Sequence, residues 1–499
     1  VRLRDWILLG AILLLAAAVR LRYFVGVQLS DDMVYTRAAA QWTREGPSEW
    51  NWYTVRVGLI LPAALATAAL GVGDAAAVAY PFLCSLGLVA LAFLLGRTLR
   101  GPFEGALAAV FVALLPQDVQ LASSLWPDLP QALWTTLGVA TVVLELRKSE
   151  PERRAWKFVR AGLLIGVAHL HRETAFLSLA PVAACAALPG RRDWRVLLVL
   201  VGFAAVVILE SAAFALAAGD PLLRLHVVRD YPDALIETEF RSQGAVLRRV
   251  LVEYPSLMFN PLDRLFLQFG LLFWAATAGG AVALNKKTDG AAELAAWILS
   301  FLIVCDVFPS RLWPYVPALT SIPRYLHPIA VPLAVLSSLG ISQLRRRSWR
   351  IVAAAPVVAV ALVAIPRLTF DARLLTRGLV DLHRWWVAAG RPQPIYTDPR
   401  TREYLLFRDG FPPDRNIREY STAPTSGYVL RNERVWAFGR DHYGLPLPPE
   451  IEQPPAEWEV VYHADVYGRR SLRGMLQGRA APSVVNRLTV YRVHATEPR

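Results

Sequence analysis

The sequence predicts an α-helical polytopic membrane protein with a small extracytoplasmic α/β domain at its C-terminal end. Of its 499 residues 55% are hydrophobic and only 19% charged, far from the balance of a soluble domain. The apolar residues come in runs close to the ~20 residues a helix needs to cross a bilayer. After Pro366 the chain turns rich in Arg, Asp, Pro and Tyr, the composition of a soluble module. The net charge of +13 does not point to nucleic acid, because the basic residues sit in short clusters between apolar runs, the pattern that orients membrane helices. Cys84, Cys185 and Cys305 lie inside apolar runs, where they act as small apolar residues and not as a disulfide framework.

The first run, Trp6 to Val25, has no small-residue cleavage site before the polar loop and reads as a retained signal anchor. Arg20 and Arg22 near its outer end must snorkel or line a pocket. Val57 to Val72 is short and contains Pro62, so charge decides its placement. The basic clusters are Arg97 with Arg100; Arg147, Lys148, Arg153, Arg154 and Lys157; Arg191, Arg192 and Arg195; Lys286 with Lys287; and Arg345, Arg346, Arg347 and Arg350. All fall on the side of Arg2 and Arg4 only if Val57 to Val72 lies in the interface. The crossings are then Ala75 to Gly96, Phe103 to Pro116, Leu129 to Leu146, Phe158 to Leu170, Thr174 to Leu188, Val196 to Ala217, Leu265 to Leu284, Ala291 to Phe308, Tyr325 to Leu344 and Ile351 to Pro366. With the first run they make about eleven.

An odd number of crossings from a cytoplasmic N-terminus places the C-terminal module outside. The expected division is a membrane domain over 1–367, with its first external loop at 29–56, and a soluble domain over 368–499. Within the latter, Asp371 to Ala389 is amphipathic and Arg400 to Phe407 helix-like, whereas Pro394 to Thr397, Arg434 to Phe438, Trp458 to His463 and Arg487 to His494 are strand-like. The sequence has no Walker or dinucleotide glycine motif, zinc-ligand spacing, internal repeat or low-complexity tract.

The functional signal is a gathering of acids and arginines on the outer face. Asp31 and Asp32 stand where the chain leaves the first apolar run, a place where a carboxylate is solvated on one side and meets a low dielectric on the other. Ser30 and Asp31 are also good N-caps for a helix from Asp32 to Glu45. The outer segments Leu29 to Arg56, Gln117 to Asp128, His171 to Glu173, Ala218 to Arg264 and Pro309 to Arg324 add Asp118, Asp128, Arg172, Glu173, Arg311 and Arg324 to the same face. Arginine matches phosphate oxygens in a bidentate fork and stays charged, which suits a lipid-borne phosphate at the membrane surface.

The motif D-D-x-x-Y at Asp31, Asp32 and Tyr35, followed by A-x-x-W-x-x-E-G up to Gly46, resembles the first external loop of the GT-C membrane glycosyltransferases. More narrowly it is similar to the branch holding the protein O-mannosyltransferases and the lipid A aminoarabinose transferase. Arg56-x-Gly58-x-x-x-Pro62, W-P-D-L-P at Trp126 to Pro130, H-R-E-T-A at His171 to Ala175 and P-R-Y-L-x-P at Pro323 to Pro328 resemble later landmarks of that branch in the same order. The resemblance covers Trp6 to Pro366. It implies an inverting glycosyltransferase that moves a sugar from a polyprenyl-phosphate donor to a hydroxyl or similar acceptor, with no metal implied. It also implies that Asp31 is the catalytic carboxylate, leaving open which of Asp31 and Asp32 is the base. Asp128 is implied as a second acid, Arg324 with Tyr325 as the donor-phosphate partner, and Tyr35, Arg56, His171 and Arg172 as further substrate-binding residues. The acceptor class, whether protein, lipid or glycan, stays open. The competing class is a polytopic transporter or lipid-linked glycan flippase, although its polar residues are expected near the midplane of paired halves and not at one surface.

Overall fold

The computed structural model describes residues 3–47, 49–230, 248–263, 265–311, 316–317, 319, 322–373, 376–412, 416–443, 447–468 and 484–494. The side chain of Arg311, and residues 231–247 and 264 of the segment Ala218 to Arg264, lie outside what it describes. By packing, residues 1–24, 45–63 and 78–368 form one unit, and 25–44, 64–77 and 369–499 form another. The first external loop is therefore divided, with the part that carries Asp31 packing with the C-terminal module.

The first unit is helical apart from a short antiparallel pair, Pro309–Arg311 with Val316–Pro317. Among the described residues, Asp74–Leu99, Asp128–Leu146, Trp194–Ala218, Pro323–Ser342 and Arg347–Ala372 are long and apolar enough to cross a membrane, and Val57–Leu70, Pro102–Ala113, Glu173–Ala187 and Leu272–Asn285 are shorter apolar helices. Helices Ala155–His171 and Leu198–Ala218 touch backbone to backbone, because Gly162 and Gly202 face each other's partner helix where a Cβ would meet a main-chain oxygen. Small residues at this spacing drive helix packing where no water is present. Leu198–Ala218 stops at Gly219, which takes a left-handed φ of 73°.

Helix Asp128–Leu146 is about 28 Å long at 1.5 Å per residue, and its two ends are chemically different. At the C-terminal end the basic clusters converge: Arg147 and Arg191 both pair with Glu293, at 3.3 and 3.0 Å, and Arg153 pairs with Asp193 at 3.3 Å. At the N-terminal end stand Asp128 and its partners, treated below.

Two expectations for this unit change. The run Leu265 to Leu284 becomes α-helix only from Leu272, because Gly270 has a φ of 58° that a helix cannot hold. Arg20 neither snorkels nor lines a pocket. It is fully buried and donates to Asp118, to Ser85 and to the carbonyl oxygens of Ala16 and Ala113.

In the second unit a five-stranded sheet runs in the order Ile417–Glu419, Ile395–Thr397, Gly427–Asn432, Val484–Val493, Glu459–Tyr467. Ile395–Thr397 is parallel to both its neighbours, with Ile395 opposite Ile417 on one side and Tyr428 on the other. The remaining pairs are antiparallel, with Val429 opposite Tyr491 and Ala464 opposite Leu488. Helix Arg377–Ala388 lies close against the sheet at Gly378, where a Cβ would meet Leu488 and Val466. Helix Pro399–Arg408 is capped by Asp398, whose carboxylate accepts from Thr401 N at 2.8 Å. The stretch Arg434 to Phe438, expected as a strand, is instead part of helix Glu433–Tyr443. The preceding Gly427–Asn432 takes the ladder position, and the helix buries Val435 while Arg434 and Arg440 face solvent. A five-residue window cannot reveal that amphipathicity.

Candidate active site

The predicted residues fall into two groups, one in each packing unit. In the membrane unit, Asp128 occupies the first turn of its helix, where the macrodipole favours a carboxylate. Arg172 takes an extended conformation, φ −159° and ψ 133°, at the break between helix Ala155–His171 and the 3-10 turn Glu173–Ser178. Arg324 and Tyr325 ride on the 3-10 turn Pro323–Ile329, which opens on a proline. The tertiary fold brings these segments together. Arg172 Nη1 donates to Asp128 Oδ1 at 2.7 Å, and its guanidinium lies 4.1 Å from the ring centre of Tyr325. Arg324 stands over the Trp126 ring at 4.3 Å and the Tyr325 ring at 5.5 Å, distances at which cation and ring attract.

Arg56 extends the cluster. It pairs with Glu173 at 3.5 Å and lies 4.8 Å from the Trp52 ring. Arg224 pairs with Glu210, reaches Glu173 at 3.9 Å, and donates to the carbonyl oxygen of Val55 at 2.7 Å. Thus Arg56, Arg172 and Arg224 are matched by Glu173, Asp128 and Glu210. Among the described residues Arg324 has no carboxylate partner, and its buried Nε has no hydrogen-bond acceptor. Among the described residues the cluster carries one positive charge without internal compensation, next to two aromatic faces, an arrangement with the chemistry to take an anion.

Sequence reasoning missed Glu210, Arg224, His327 and the burial of Asp118. Glu210 had a signal: a lone carboxylate within an apolar run is a functional candidate by default. Asp118 Oδ2 and His327 Nε2 are 3.0 Å apart and both fully buried, and Asp118 is also Arg20's partner. Because His327 belongs to the turn that carries Arg324, this network anchors that turn to the helices behind it. The carboxyl of Asp118 is buried, which would raise its pKa, but Arg20 and His327 hold it below the ordinary carboxylate range.

His171 is brought to a different seat. Its Nδ1 lies 2.8 Å from Val167 O, which can only accept, so Nδ1 carries the proton and Nε2 accepts from the Tyr80 hydroxyl at 2.7 Å. Trp134 Nε1 donates to the same hydroxyl at 3.0 Å. Both ring nitrogens are occupied in packing. Gly58 explains part of the Arg56-x-Gly58 spacing: a Cβ there would lie 2.8 Å from Leu170 Cβ and 3.0 Å from His171 Nδ1. Gly58→Ala is expected to destabilise the protein by about 1–3 kcal/mol through overpacking. A thermal-shift measurement in detergent checks this, and an unchanged Tm refutes the close approach.

The second group sits at the start of helix Asp31–Glu45. Asp32 is fully buried, and its carboxylate accepts from Gln28 N at 2.8 Å, Ser30 Oγ at 2.8 Å and Met33 N at 3.0 Å. Burial pushes its pKa up to about 7, against the pull of these donors and with a further push from Asp31. Asp31 is only partly buried, and Tyr35, one turn on, is fully buried. Among the described residues no group of three His, Cys, Asp or Glu side chains is arranged to hold a metal ion.

The helical unit and the small C-terminal sheet unit have the fold seen in ArnT and in an archaeal oligosaccharyltransferase. Residues 61–215 match the model of the family described as dolichyl-phosphate-mannose-protein mannosyltransferase. More particularly, the fold is similar to that of ArnT from Cupriavidus metallidurans in its apo state, at a TM-score of 0.62 and 12% identity over 99% of each chain. The undecaprenyl phosphate-bound form of the same protein matches at a TM-score of 0.56 and 13% identity over 100% of both chains. The apo oligosaccharyltransferase of Archaeoglobus fulgidus matches at a TM-score of 0.55 and 14% identity, covering 92% of this chain and 73% of that one. No curated protein matches the chain in sequence.

Proposed function

We propose that the protein is an inverting glycosyltransferase that moves a sugar from a polyprenyl-phosphate donor to a hydroxyl or similar acceptor at the outer face of the membrane. The observation that carries this reading is Arg324, the arginine of the cluster whose charge no described carboxylate balances. Its fork takes the donor phosphate, with Tyr325 and Trp126 fixing the plane of the guanidinium. Arg172, tied to Asp128 and stacked on Tyr325, supports the same subsite. Undecaprenyl phosphate in the ArnT structure supports a lipid monophosphate as the donor's leaving group. Asp31 deprotonates or orients the acceptor, which attacks the anomeric carbon from the face opposite the phosphate and inverts it. The C–O bond to phosphate breaks as the new glycosidic bond forms, and positioned guanidinium donors stabilise the departing lipid phosphate. Asp32, committed to three donors of its own loop, shapes the loop.

Transfer of radiolabelled sugar from a polyprenyl-phosphate donor to an endogenous acceptor, in membranes containing the protein, tests the reading. Movement of labelled lipid or sugar across the bilayer with no covalent transfer would replace it with the transporter reading. Orientation is tested separately. The sequence places the N-terminus in the cytoplasm and the C-terminal module outside, so a cysteine at the exposed Ser426 is expected to react with an impermeant maleimide in intact cells. Labelling only after permeabilisation reverses the orientation.

A further inference from the structure

We infer that the C-terminal module is a positioning device for the loop that carries Asp31, with Arg400 and Arg408 of helix Pro399–Arg408 as its positioning residues. The inference deepens the transferase reading, on which the role of Asp31 rests. Residues 24–28 before helix Asp31–Glu45 have no regular secondary structure, so side chains must set the path of the chain. Three consecutive residues are pinned. Val27 N donates to Asp74 Oδ1 at 2.9 Å, and the other oxygen of Asp74 pairs with Arg408 at 2.8 Å. Gln28 N donates to Asp32 at 2.8 Å. Leu29 O accepts from Arg400 Nη1 at 3.3 Å. Arg400 of the C-terminal module supplies one pin directly, Arg408 holds another through Asp74, and the third is Asp32.

The far end of helix Asp31–Glu45 is tied to the same module. Arg44 donates to the carbonyl oxygens of Gly410 and Phe411, at 2.7 and 2.8 Å, in the turn that ends helix Pro399–Arg408. Arg37 pairs with Glu403 of that helix at 3.0 Å. A chain held at both ends presents Asp31 from a fixed backbone. A shift of about 1 Å in a reacting group costs on the order of 100-fold in rate, so a soluble module that fixes this loop contributes to turnover without touching substrate. The Arg408–Asp74 pair is partly exposed, at 30% for each side chain, so its loss leaves the fold standing.

The test uses full-length protein in nanodiscs, comparing wild type with Arg408→Ala, Asp74→Asn, their double variant and Arg408→Lys, and with Arg492→Ala as a surface control. Asp74→Asn keeps an acceptor for Val27 N but removes the charge and turns an amide donor toward Arg408. Hydrogen exchange at 27–33 is expected to rise about tenfold in each single variant, with the double no faster than either, at unchanged global protection. Transfer turnover is expected to fall about 10- to 100-fold with the donor KM within about twofold, and Arg408→Lys to recover most of it. Unchanged exchange at 27–33 overturns the inference whatever the activity. Raised exchange with wild-type turnover overturns it as well. Absence of transfer in the wild type would defeat the transferase reading, while the exchange measurements still decide whether the module pins the loop.

Discussion

Asp31→Asn is expected to abolish sugar transfer almost completely, by about 10²- to 10⁴-fold in kcat, while the protein folds and still binds donor lipid. The substitution preserves size and most hydrogen bonding and removes only the basic site, so the loss is that of a general base. Asp32→Asn is expected to behave differently. Asp32 has no exposed surface and spends its carboxylate on Gln28 N, Ser30 Oγ and Met33 N. Its substitution costs loop order first and activity second. The pH dependence separates the two further. The folded-state pKa of Asp32 is raised to about 7 from 3.8, so the folded loop holds a proton that the unfolded chain releases. The stability contributed is complete below about pH 4 and is lost as pH rises through about 7. Loop protection measured by hydrogen exchange should therefore decline from pH 5 to pH 8 in the wild type, after correction for intrinsic rates, and stay level in Asp32→Asn. If Asp31→Asn transfers normally while Asp32→Asn is dead, the roles of the pair are reversed; if both are active, the transferase reading fails.

Arg324→Ala is expected to lower kcat/KM by about 10²- to 10³-fold, with part of the loss in donor KM, because both the charge and the fork that stabilise the departing phosphate vanish. Arg324→Lys keeps the charge and should retain intermediate activity. The contrast with its neighbours makes this the sharper prediction. Arg172 is paired with Asp128 and Arg56 with Glu173. Removing Arg172 leaves the buried Asp128 carboxylate unmatched, so that variant loses stability along with activity, whereas Glu173 keeps Arg224 at 3.9 Å when Arg56 is removed. Arg324 has no such described partner, so its loss should spare the fold. Titration of the purified protein with undecaprenyl phosphate, by calorimetry in detergent, reads the effect directly. Equal affinity in wild type and Arg324→Ala would remove this residue from the donor site.

Much of the helical architecture was legible. Helices Asp74–Leu99, Asp128–Leu146, Leu198–Ala218 and Arg347–Ala372 begin and end within a few residues of the apolar runs that announced them, apart from the polar turns that extend the last at either end. In the C-terminal module, short strands were the weak point. Ile417–Glu419 and Gly427–Asn432 were not foreseen, and Arg434 to Phe438 was misread. A strand's identity depends on the neighbour it pairs with more than on its own residues.

The sequence by itself determined where the chain is apolar enough for helices, where it turns soluble, and which residue types are available for phosphate and proton chemistry. These are local properties, set by composition and by hydrophobic patterns of one or two turns. Only the tertiary structure decided which charge answers which. Arg20 finds Asp118 across 98 residues and Arg56 finds Glu173 across 117. Glu210, passed over in its apolar run, becomes the partner of Arg224. Pairing of buried charges is a long-range matter, because the low dielectric makes an unmatched one costly and the nearest counter-charge in space is seldom near in sequence. That matching is what singles out Arg324.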